Sequence, residues 1–253
     1  MLDALIPAGA KSVLDVGCNV GDSLRWAHSR GLSVLRGVDI NAAAVAVARE
    51  RLAPLGDVEI AHGSADALPF PDASVDVVLC LEVLEHVPAE LRAAAVREMR
   101  RVLRPGGCLI LTTPHRGLFA WLDPENLRFR VPALHARASR LVGGAGKETG
   151  YAGQKHGVVR HHHFTMGELR ALLEESFALR VVIGRGCFLF PIGAAAHWPF
   201  YRRKATDNWL FRSVGRLMAF DYAIRYPLPL AYDVVVSAEP YSTPPRRNNP
   251  TSS

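Results

Sequence analysis

The sequence predicts an α/β protein built on a doubly wound, mostly parallel sheet. From residue 12 to residue 113, short apolar segments of strand character alternate with segments of helical periodicity. Strands that alternate with helices in this way usually form a parallel sheet. A glycine turn links the first predicted strand to the first predicted helix, and a second strand ends in a carboxylate about twenty residues later. That layout is typical of nucleoside-binding βαβ units.

The first half of the chain follows this alternation closely. The first predicted strand ends in Asp15 and Gly17, Gly31 ends the helix after the turn, and Asn41 is a predicted N-cap for the next helix. The predicted elements are a strand over 12–17, a helix over 21–30, a strand over 33–38, a helix over 41–53, and strands over 58–61 and 75–81.

The alternation continues to residue 113 and then breaks. Pro88 opens a predicted helix over 88–103, which Pro105-Gly106-Gly107 ends, and a strand over 108–113 follows. Residues 115–163 show little periodicity, and irregular segments of this length usually have a functional role. The remaining predicted elements are a helix over 165–176 with a Thr165–Glu168 capping box, a strand over 178–183, a helix near 207–220 and a strand over 232–238.

Composition limits the class of protein. Hydrophobic residues make up 49% of the 253 residues, so a large core is expected, in one domain over 1–239 with a disordered tail over 240–253. The net charge of +6 is too dispersed to predict a nucleic-acid surface. Neither a membrane span nor a signal peptide is predicted, so we expect a cytoplasmic protein, with peripheral membrane contact as an option. Four scattered cysteines predict buried thiols in a reducing compartment: Cys18, Cys80, Cys108 and Cys187.

Five segments, in this order and spacing, carry a resemblance to a known family: Leu14-Asp15-Val16-Gly17-Cys18-Asn19-Val20-Gly21, Gly37-Val38-Asp39-Ile40, residues 68–78, Leu81-Glu82-Val83-Leu84-Glu85-His86-Val87 and residues 101–107. They resemble class I S-adenosylmethionine-dependent methyltransferases, in the small-molecule branch that includes the ubiquinone-type methylases. The resemblance is close over residues 12–113 and loose over 164–183. It implies a Rossmann-like, seven-stranded sheet, mostly parallel with the last strand antiparallel, and S-adenosyl-L-methionine as cofactor.

The resemblance also implies roles at the cofactor site. Asp39 would accept hydrogen bonds from the ribose diol, and such charge-assisted bonds contribute about 1.5–3 kcal/mol each. Asp15 and backbone carbonyls near Gly17 would suit the ammonium of the methionine end, and the glycine turn and helix N-terminus would face its carboxylate. The full predicted set is Asp15, Gly17, Cys18, Asn19, Gly21, Asp39, Ile40, Ser64, Ala65, Asp66 and Leu81.

This chain departs from the family pattern at two cofactor positions. Gly63 is followed by Ser64, where the family often has an acidic residue that receives the adenine amine, so either Ser64 substitutes or Asp66 reaches in; we favour Asp66. Asn19 stands where a third glycine is usual, and asparagine tolerates left-handed geometry better than most residues.

Two other classes of enzyme fit less well. A dehydrogenase would carry three glycines at G-x-G-x-x-G spacing, whereas three residues, none of them glycine, separate Gly17 from Gly21. A nucleic-acid methylase would carry an Asn/Asp-Pro-Pro-aromatic motif after the fourth strand, where this chain has Leu81-Glu82-Val83-Leu84.

Candidate catalytic residues follow the fourth and fifth predicted strands. His86 and His115 lie at the carboxyl edge of the sheet, where open α/β sheets bind ligands, so either is a candidate base; the alternatives are structural roles. Glu82 and Glu85 flank the same edge. The run His161-His162-His163 predicts no metal site, since adjacent residues point in different directions. One of these three, or His156, is a candidate for the acceptor pocket.

The acceptor site is expected under a cap formed by insertions 115–163 and 185–229, because the helices that usually precede the first strand are nearly absent. The second insertion is rich in aromatic residues: Trp198, Phe200, Tyr201, Trp209, Phe211, Phe220, Tyr222 and Tyr226. These residues predict either a small cap core or, with Arg202-Arg203-Lys204, an apolar acceptor pocket or membrane-surface patch. A glycan acceptor would instead make use of Arg128, Arg130, His135 and Arg137.

The predicted function is methyl transfer from S-adenosylmethionine to a small-molecule or lipid-linked acceptor, on oxygen rather than on nitrogen or carbon. Two alternatives stay open. One is methylation of a glycan, a sugar or another natural product. The other is a protein that binds S-adenosylmethionine without catalysis, which would show cofactor affinity but no turnover.

Overall fold

A computed structural model describes residues 2–123, 126, 129–142, 161–202 and 207–241. Within these ranges the strands are β1 (Ser12–Val16), β2 (Val34–Asp39), β3 (Asp57–His62), β4 (Val75–Leu81), β5 (Leu103–Pro114), β6 (Phe177–Arg185), β7 (Arg225–Tyr226) and β8 (Asp233–Pro240). The α-helices of the same ranges are α1 (Asp22–Ser29), α2 (Ala42–Leu52), α3 (Arg92–Val102), α4 (Pro132–Val142), α5 (Met166–Leu173), α6 (Leu189–Arg202) and α7 (Trp209–Ala223).

The strands form one sheet in the order β3-β2-β1-β4-β5-β8-β6-β7. The first five strands pair in parallel, and β8 pairs antiparallel with both β5 and β6. This confirms the mostly parallel Rossmann-like sheet with an inserted, antiparallel last strand. The described sheet has an eighth strand beyond the seven expected, because the two-residue β7 pairs with the end of β6.

Two apolar layers cover the two faces of the sheet. One layer packs Val96, Met99 and Leu169 of α3 and α5 against β4, β5 and β8. The other packs Leu24 and Leu52 of α1 and α2 against β1, β2 and β4. Helices on both faces make the sheet doubly wound, so all the parallel strands present their carboxyl ends at one shared edge.

Several predicted boundaries differ from the structure. α3 begins at Arg92 rather than at Pro88, because residues 88–91 form a separate turn in which the Leu91 N–H bonds to the Pro88 carbonyl. Pro105-Gly106-Gly107 does not separate the helix from the next strand. β5 already begins at Leu103 and runs through these residues with Gly106 at φ 78°, a conformation that glycine adopts without strain.

Two helices lie in segments where no helix was predicted. α4 lies within the segment 115–163, which was expected to be irregular, and α6 precedes the single helix expected near 207–220. Pro191 and Pro199 concealed α6. Pro191 falls in the first turn, where a missing N–H breaks no helical bond, and Pro199 falls in the last turn.

Candidate functional site

A cleft opens at the carboxyl ends of β1, β2 and β4. Its walls bring together most of the predicted cofactor residues and one predicted catalytic residue. The predicted residues that line it are Gly17, Asp39, Ile40, Ser64, Ala65, Asp66, Leu81 and His86. Glu82, which was expected to flank this edge, also lines the cleft, and other lining residues were not predicted, among them Gly63, Val83, Val87 and Leu91.

Asp39 ends β2 with its carboxylate held in place by two backbone groups. Oδ2 accepts the N–H of Asn19 at 2.8 Å, and Oδ1 accepts the N–H of Asn41 at 2.8 Å. Each carboxylate oxygen has a further lone pair, so both remain able to accept a hydroxyl bond. The side chain of Asn41 also caps α2 by accepting the N–H groups of Ala43 and Ala44. The helix start and the acidic residue are therefore fixed together.

The turn after β1 needs its unusual backbone. Gly17 has φ 79°, and a Cβ atom built there would lie 2.4 Å from Cγ2 of Val83. Asn19 has φ 46°, the left-handed conformation expected for it, and this turn directs its N–H to Asp39. The N–H groups of Gly17 and Cys18 both bond to the carbonyl of Val38, at 2.8 and 3.0 Å. These bonds tie the turn to the end of β2.

Asp15 is buried at the end of β1, with only 2% of its surface exposed. Its Oδ2 atom is buried without a hydrogen-bond partner. Burial, together with the charge of Asp39, raises the pKa of Asp15 to about 8, although a hydrogen bond with Ser23 opposes the rise. An unsatisfied buried carboxylate oxygen suits a cationic group, because a buried acceptor without a donor costs free energy.

Ser64 and Asp66 both line the cleft after β3, and the Ser64 hydroxyl donates to the Asp66 carboxylate. The hydrogen of Ser64 is therefore in use, which leaves carboxylate lone pairs of Asp66 to receive an amine. Four of the predicted cofactor residues lie outside the cleft lining: Asp15, Cys18, Asn19 and Gly21. Cys18 is buried in the core, and a Cβ atom on Gly21 would lie 2.6 Å from Leu52, so both positions serve packing.

Comparison with known proteins agrees with this geometry. Residues 14–111 match the sequence model of a family described as a methyltransferase domain. The chain contains a class I S-adenosylmethionine-dependent methyltransferase domain. S-adenosylmethionine is accordingly its cofactor, and Asp39, the orphaned oxygen of Asp15 and the open turn at Gly17 fit that group.

Two curated relatives and one solved structure illustrate the similarity. A protein of Mycolicibacterium smegmatis named as a probable S-adenosylmethionine-dependent methyltransferase is 40% identical over 110 residues, 44% of this chain and 40% of that protein. The ubiquinone biosynthesis O-methyltransferase of Pseudomonas entomophila is 37% identical over 124 residues, 48% of this chain and 52% of that protein. The chain thus spans only 40% to 52% of the length of these relatives.

The solved structure is an S-adenosylmethionine-dependent methyltransferase from Mesorhizobium loti. It is similar with a TM-score of 0.58 at 21% identity, over 94% of this chain and 95% of that chain. The two sequences have diverged too far for this likeness to carry more than the fold. The likeness covers more of the chain than residues 14–111, which match the family.

The two predicted catalytic histidines of the methyltransferase domain differ in position. His86 lines the cleft, and burial, with a contribution from the neighbouring His161, lowers its pKa to about 4, so it is neutral at pH 7. His115 is 6% exposed and lies outside the cleft lining. Its Nδ1 lies 2.9 Å from the carbonyl oxygen of Phe164, and burial lowers its pKa.

Buried acids gather behind His86 at the same edge. Glu85 is buried and accepts the hydroxyl of Thr113 at 3.1 Å, while Asp233 of β8 is buried with Oδ1 unpartnered. Burial, followed by the charges of neighbouring carboxylates, raises the pKa of both Glu85 and Asp233. Burial also raises the pKa of Glu82, which has φ 56° and lines the cleft. Such strained and shifted groups are typical of functional sites.

A second polar group joins the two ends of the first insertion. Asp123 is 1% exposed, and its Oδ2 lies 2.8 Å from Nε2 of His163, 3.0 Å from Nδ2 of Asn126 and 3.3 Å from Nδ1 of His161. His162 instead lies 3.7 Å from Glu168. Sequence analysis missed Asp123 and Asn126, because a single acid in a segment without periodicity gives no sign of its partners.

The second insertion forms a pair of packed helices, α6 and α7. Part of its aromatic set forms a small core, since Phe211 stacks on His197 with ring centroids 4.0 Å apart and packs edge-on against Phe200. Trp209 and Phe220 are 74% and 64% exposed. Arg130 and Arg137 are exposed as well. Arg128, His156, Arg203, Lys204 and residues 242–253 lie outside the described residues, as do the side chains of His135, Trp198, Tyr201 and Arg202.

The cysteines are all free, and three of the four are buried. Cys18, Cys80 and Cys108 are buried, Cys187 is half-buried, and all four are free thiols. Among the described residues, no group of three His, Cys, Asp or Glu side chains is arranged to hold a metal ion. No helix in the described ranges is long and apolar enough to cross a membrane.

Proposed function

We propose that the protein transfers a methyl group from S-adenosylmethionine to a hydroxyl group of a small-molecule or lipid-linked acceptor. One observation carries the proposal: the cleft combines Asp39, the Gly17 turn and the neutral His86 at one sheet edge. The relative from Pseudomonas entomophila, whose name gives O-methylation, supports oxygen as the acceptor atom.

The cleft and the residues next to it suit the separate parts of the cofactor. Asp39 would accept the ribose diol, and Asp15 would pair with the ammonium group. The N-terminus of α1 would face the carboxylate, because Gly21 caps it without a side chain and leaves its N–H groups available. Asp66, with Ser64, would receive the adenine amine. Cys18, Asn19 and Gly21 would act through the shape of the turn rather than through contact.

The sulfonium supplies a methyl group with a good leaving group, so the protein's main task is to hold the acceptor oxygen in line with it. A hydroxyl acceptor also needs a base. His86 and His115 are the candidates predicted from sequence. The position of His86 in the cleft supports a role beside the acceptor, whereas the burial of His115 and its contact with Phe164 favour a structural role.

An apolar face on α7 supports a lipid-linked acceptor. Trp209, Leu210, Leu217 and Phe220 are exposed and share one side of the helix. Arg216 and Arg212 flank it, and Arg212 is paired with the exposed Asp207 at 3.1 Å. Asp221 is the one acid of this helix, and it is buried, where it accepts the N–H groups of Cys187 and Phe190. An exposed apolar face bordered by cations suits the interface of an anionic membrane.

Vesicle binding tests this membrane contact. We expect the double variant L217E/F220E to bind vesicles of phosphatidylglycerol and phosphatidylcholine at least about tenfold more weakly than the wild type, since each buried apolar side chain contributes about 1.5–3 kcal/mol. V47E is the matched control, because Val47 is also exposed but lies on α2. Equal vesicle binding by L217E/F220E and V47E contradicts the membrane contact and leaves methyl transfer as a separate question.

The cofactor assignment is tested by calorimetry with D39A. We expect affinity for S-adenosylmethionine to fall at least about tenfold, because a charge-assisted bond to the ribose is lost. Unchanged affinity contradicts the assignment. Incubation of the wild type with a cell extract and a labelled methyl donor then distinguishes an enzyme from a non-catalytic binder. Labelled glycans in place of phenols or lipids would favour the glycan acceptor, for which the exposed Arg130 and Arg137 are available.

A further inference from the structure

The polar group around Asp123 is a built site that the cofactor assignment does not use. Several side-chain donors converge on its buried carboxylate, among them the hydroxyl of Tyr232 and, at 2.8, 3.0 and 3.3 Å, Nε2 of His163, Nδ2 of Asn126 and Nδ1 of His161. Hydrogen bonds from the two histidines lower the pKa of Asp123 despite its burial, so it is ionised. An ionised carboxylate only accepts hydrogen bonds, so the histidine nitrogens that face it carry protons.

His161 and His163 differ in the groups that face their ring nitrogens. His163 faces Asp123 with Nε2 and the carbonyl of His115 with Nδ1, at 3.2 Å, so both of its ring nitrogens contact acceptors. His161 faces Asp123 with Nδ1 and needs a proton on that nitrogen alone. Its Nε2 is then the atom with a lone pair, which is the state of a base.

The backbone of His161 is held independently of its ring. Nδ2 of Asn126 bonds to the His161 carbonyl at 3.0 Å as well as to Asp123. The side-chain amide of Asn126 thus fixes both the main chain of His161 and the carboxylate that faces its ring. A side chain 18% exposed keeps His161 accessible to a bound molecule.

The ring of His161 lies next to the cofactor cleft. It packs edge-on against His86, with ring centroids 4.6 Å apart, and His86 lines the cleft. Glu82, another lining residue, is close enough for the charges of His161 and His163 to oppose the rise in its pKa. The titratable groups around His161 are therefore Asp123, Glu82, His86 and His163. The ionised Asp123 would stabilise a proton gained by His161.

We infer that His161, oriented by Asp123, is the base that takes the proton of the acceptor hydroxyl, with the acceptor bound beside His86. This inference rests on the proposed function. The acceptor O–H bond breaks and its proton passes to Nε2 of His161. The oxygen electron pair forms the new bond to the methyl carbon, and the pair of the broken carbon–sulfur bond stays on sulfur. The products are a methyl ether, a neutral thioether and, after His161 is deprotonated by solvent, one proton.

Kinetics of H161N test the base directly, with catechol and 4-hydroxybenzoate as probe acceptors. Asparagine keeps a donor near the position of Nδ1 but cannot act as a base. We expect kcat to fall by about 10²–10⁴ while affinity for S-adenosylmethionine stays within about threefold. H28N is the matched control, since His28 lies on α1 and outside the cleft lining, and it should keep the wild-type rate. A kcat within threefold of wild type for H161N overturns the inference.

Asp123 is a positioning residue, so its test uses a pH profile. D123N should move the acidic limb of kcat to lower pH, because the carboxylate no longer stabilises the His161 imidazolium. A lower rate with an unmoved limb would indicate a purely structural role and count against the pair. Affinity for S-adenosylmethionine shows whether D123N is folded.

Nitrogen-15 NMR of the labelled histidines decides the tautomer without any acceptor. We expect the wild type at neutral pH, bound to S-adenosylhomocysteine, to show Nδ1 of His161 protonated and Nε2 bare, and D123N to lose this preference. A proton on Nε2 in the neutral wild-type ring overturns the inference. If the wild type binds the cofactor but methylates no acceptor, the proposed function fails, and the NMR result still supports or overturns the Asp123–His161 pair.

Discussion

Asp15 and Asp39 place two carboxylates at adjacent strand ends, but their surroundings differ. Both oxygens of Asp39 receive backbone N–H groups, whereas Oδ2 of Asp15 is buried without a partner. Burial and the nearby charge of Asp39 raise the pKa of Asp15 to about 8. Oδ2 of Asp15 would gain a hydrogen-bond partner only when a cation binds. Asp15 therefore makes the cofactor-free protein less stable, as residues of functional sites often do.

D15N tests that cost through the pH dependence of stability. The folded protein keeps a proton on Asp15 up to about pH 8, whereas the unfolded chain releases it near its ordinary value of 3.8. The contribution of Asp15 to stability therefore falls as pH rises between these values, by at most about 1.4 kcal/mol per pH unit. We expect the stability of D15N relative to wild type to increase from pH 5.5 to pH 8.5 in urea unfolding. A difference that does not change with pH would contradict the assignment.

Gly17→Ala tests the turn by two separable effects. The new Cβ atom would meet Val83 at 2.4 Å, and alanine at φ 79° is strained even with space around it. We expect G17A to lower the free energy of unfolding by about 1–3 kcal/mol and to weaken cofactor binding. In the double variant G17A/V83A the clash is removed but the strain remains, so a partial recovery of stability is expected. Full recovery of stability would mean that alanine is not strained at the backbone conformation of residue 17.

At the scale of elements, local signals were predictable and distant partners were not. Asn41 and Thr165 cap the helices that their positions predicted, because a cap depends on residues only two or three positions away. α6 was missed because its prolines suggested a break, and β5 was predicted to start five residues late because Pro105-Gly106-Gly107 suggested a stop. The contacts of β5 with β4 and β8 outweigh those local preferences.

In the candidate site, too, locally determined residues were predicted and distant partners were not. Asp39 and Gly17 were predicted because the strand–turn–helix pattern places them at one edge. Asp123 and His161 are 38 positions apart and meet only because the Phe164 N–H bonds to the carbonyl of Pro114, and Asn126 bonds to His161. No local pattern in the sequence contains that pairing, which depends on how the first insertion folds back onto β5.

The capping box at α5 gives an element-scale prediction. Thr165 accepts the N–H of Glu168, and Glu168 accepts the N–H of Thr165 at 2.7 Å. We expect T165A to lower the free energy of unfolding by about 1 kcal/mol, because one helix donor loses its partner while Leu169 and Leu173 stay buried. E168Q is the matched control, since glutamine can form the same box. A larger loss for E168Q than for T165A would show that charge, not capping, stabilises this end.

At the scale of the whole molecule, one sheet joins the cofactor cleft to the helices of the second insertion. Gly17 directly follows β1 and Asp39 ends β2, and the sheet continues from β1 through β4 and β5 to β8 and β6. β8 comes from the far end of the described chain but lies between β5 and β6. β8 therefore connects the parts of the sheet that precede the two insertions. Loss of β5 or of β6 should disrupt the pairing of β8 with the other strand.

This continuity predicts one unfolding transition that shifts as a unit when ligand binds. A ligand at about 100 times its Kd adds about 2.7 kcal/mol to the folded state. For a chain of this size, each kcal/mol raises Tm by about 2–4 °C, so S-adenosylhomocysteine should raise Tm by roughly 5–11 °C in calorimetry. D39A at the same ligand concentration should show a much smaller rise. Two transitions, with only one shifted by the ligand, would mean that the insertions unfold independently of the cleft and that β8 does not couple them.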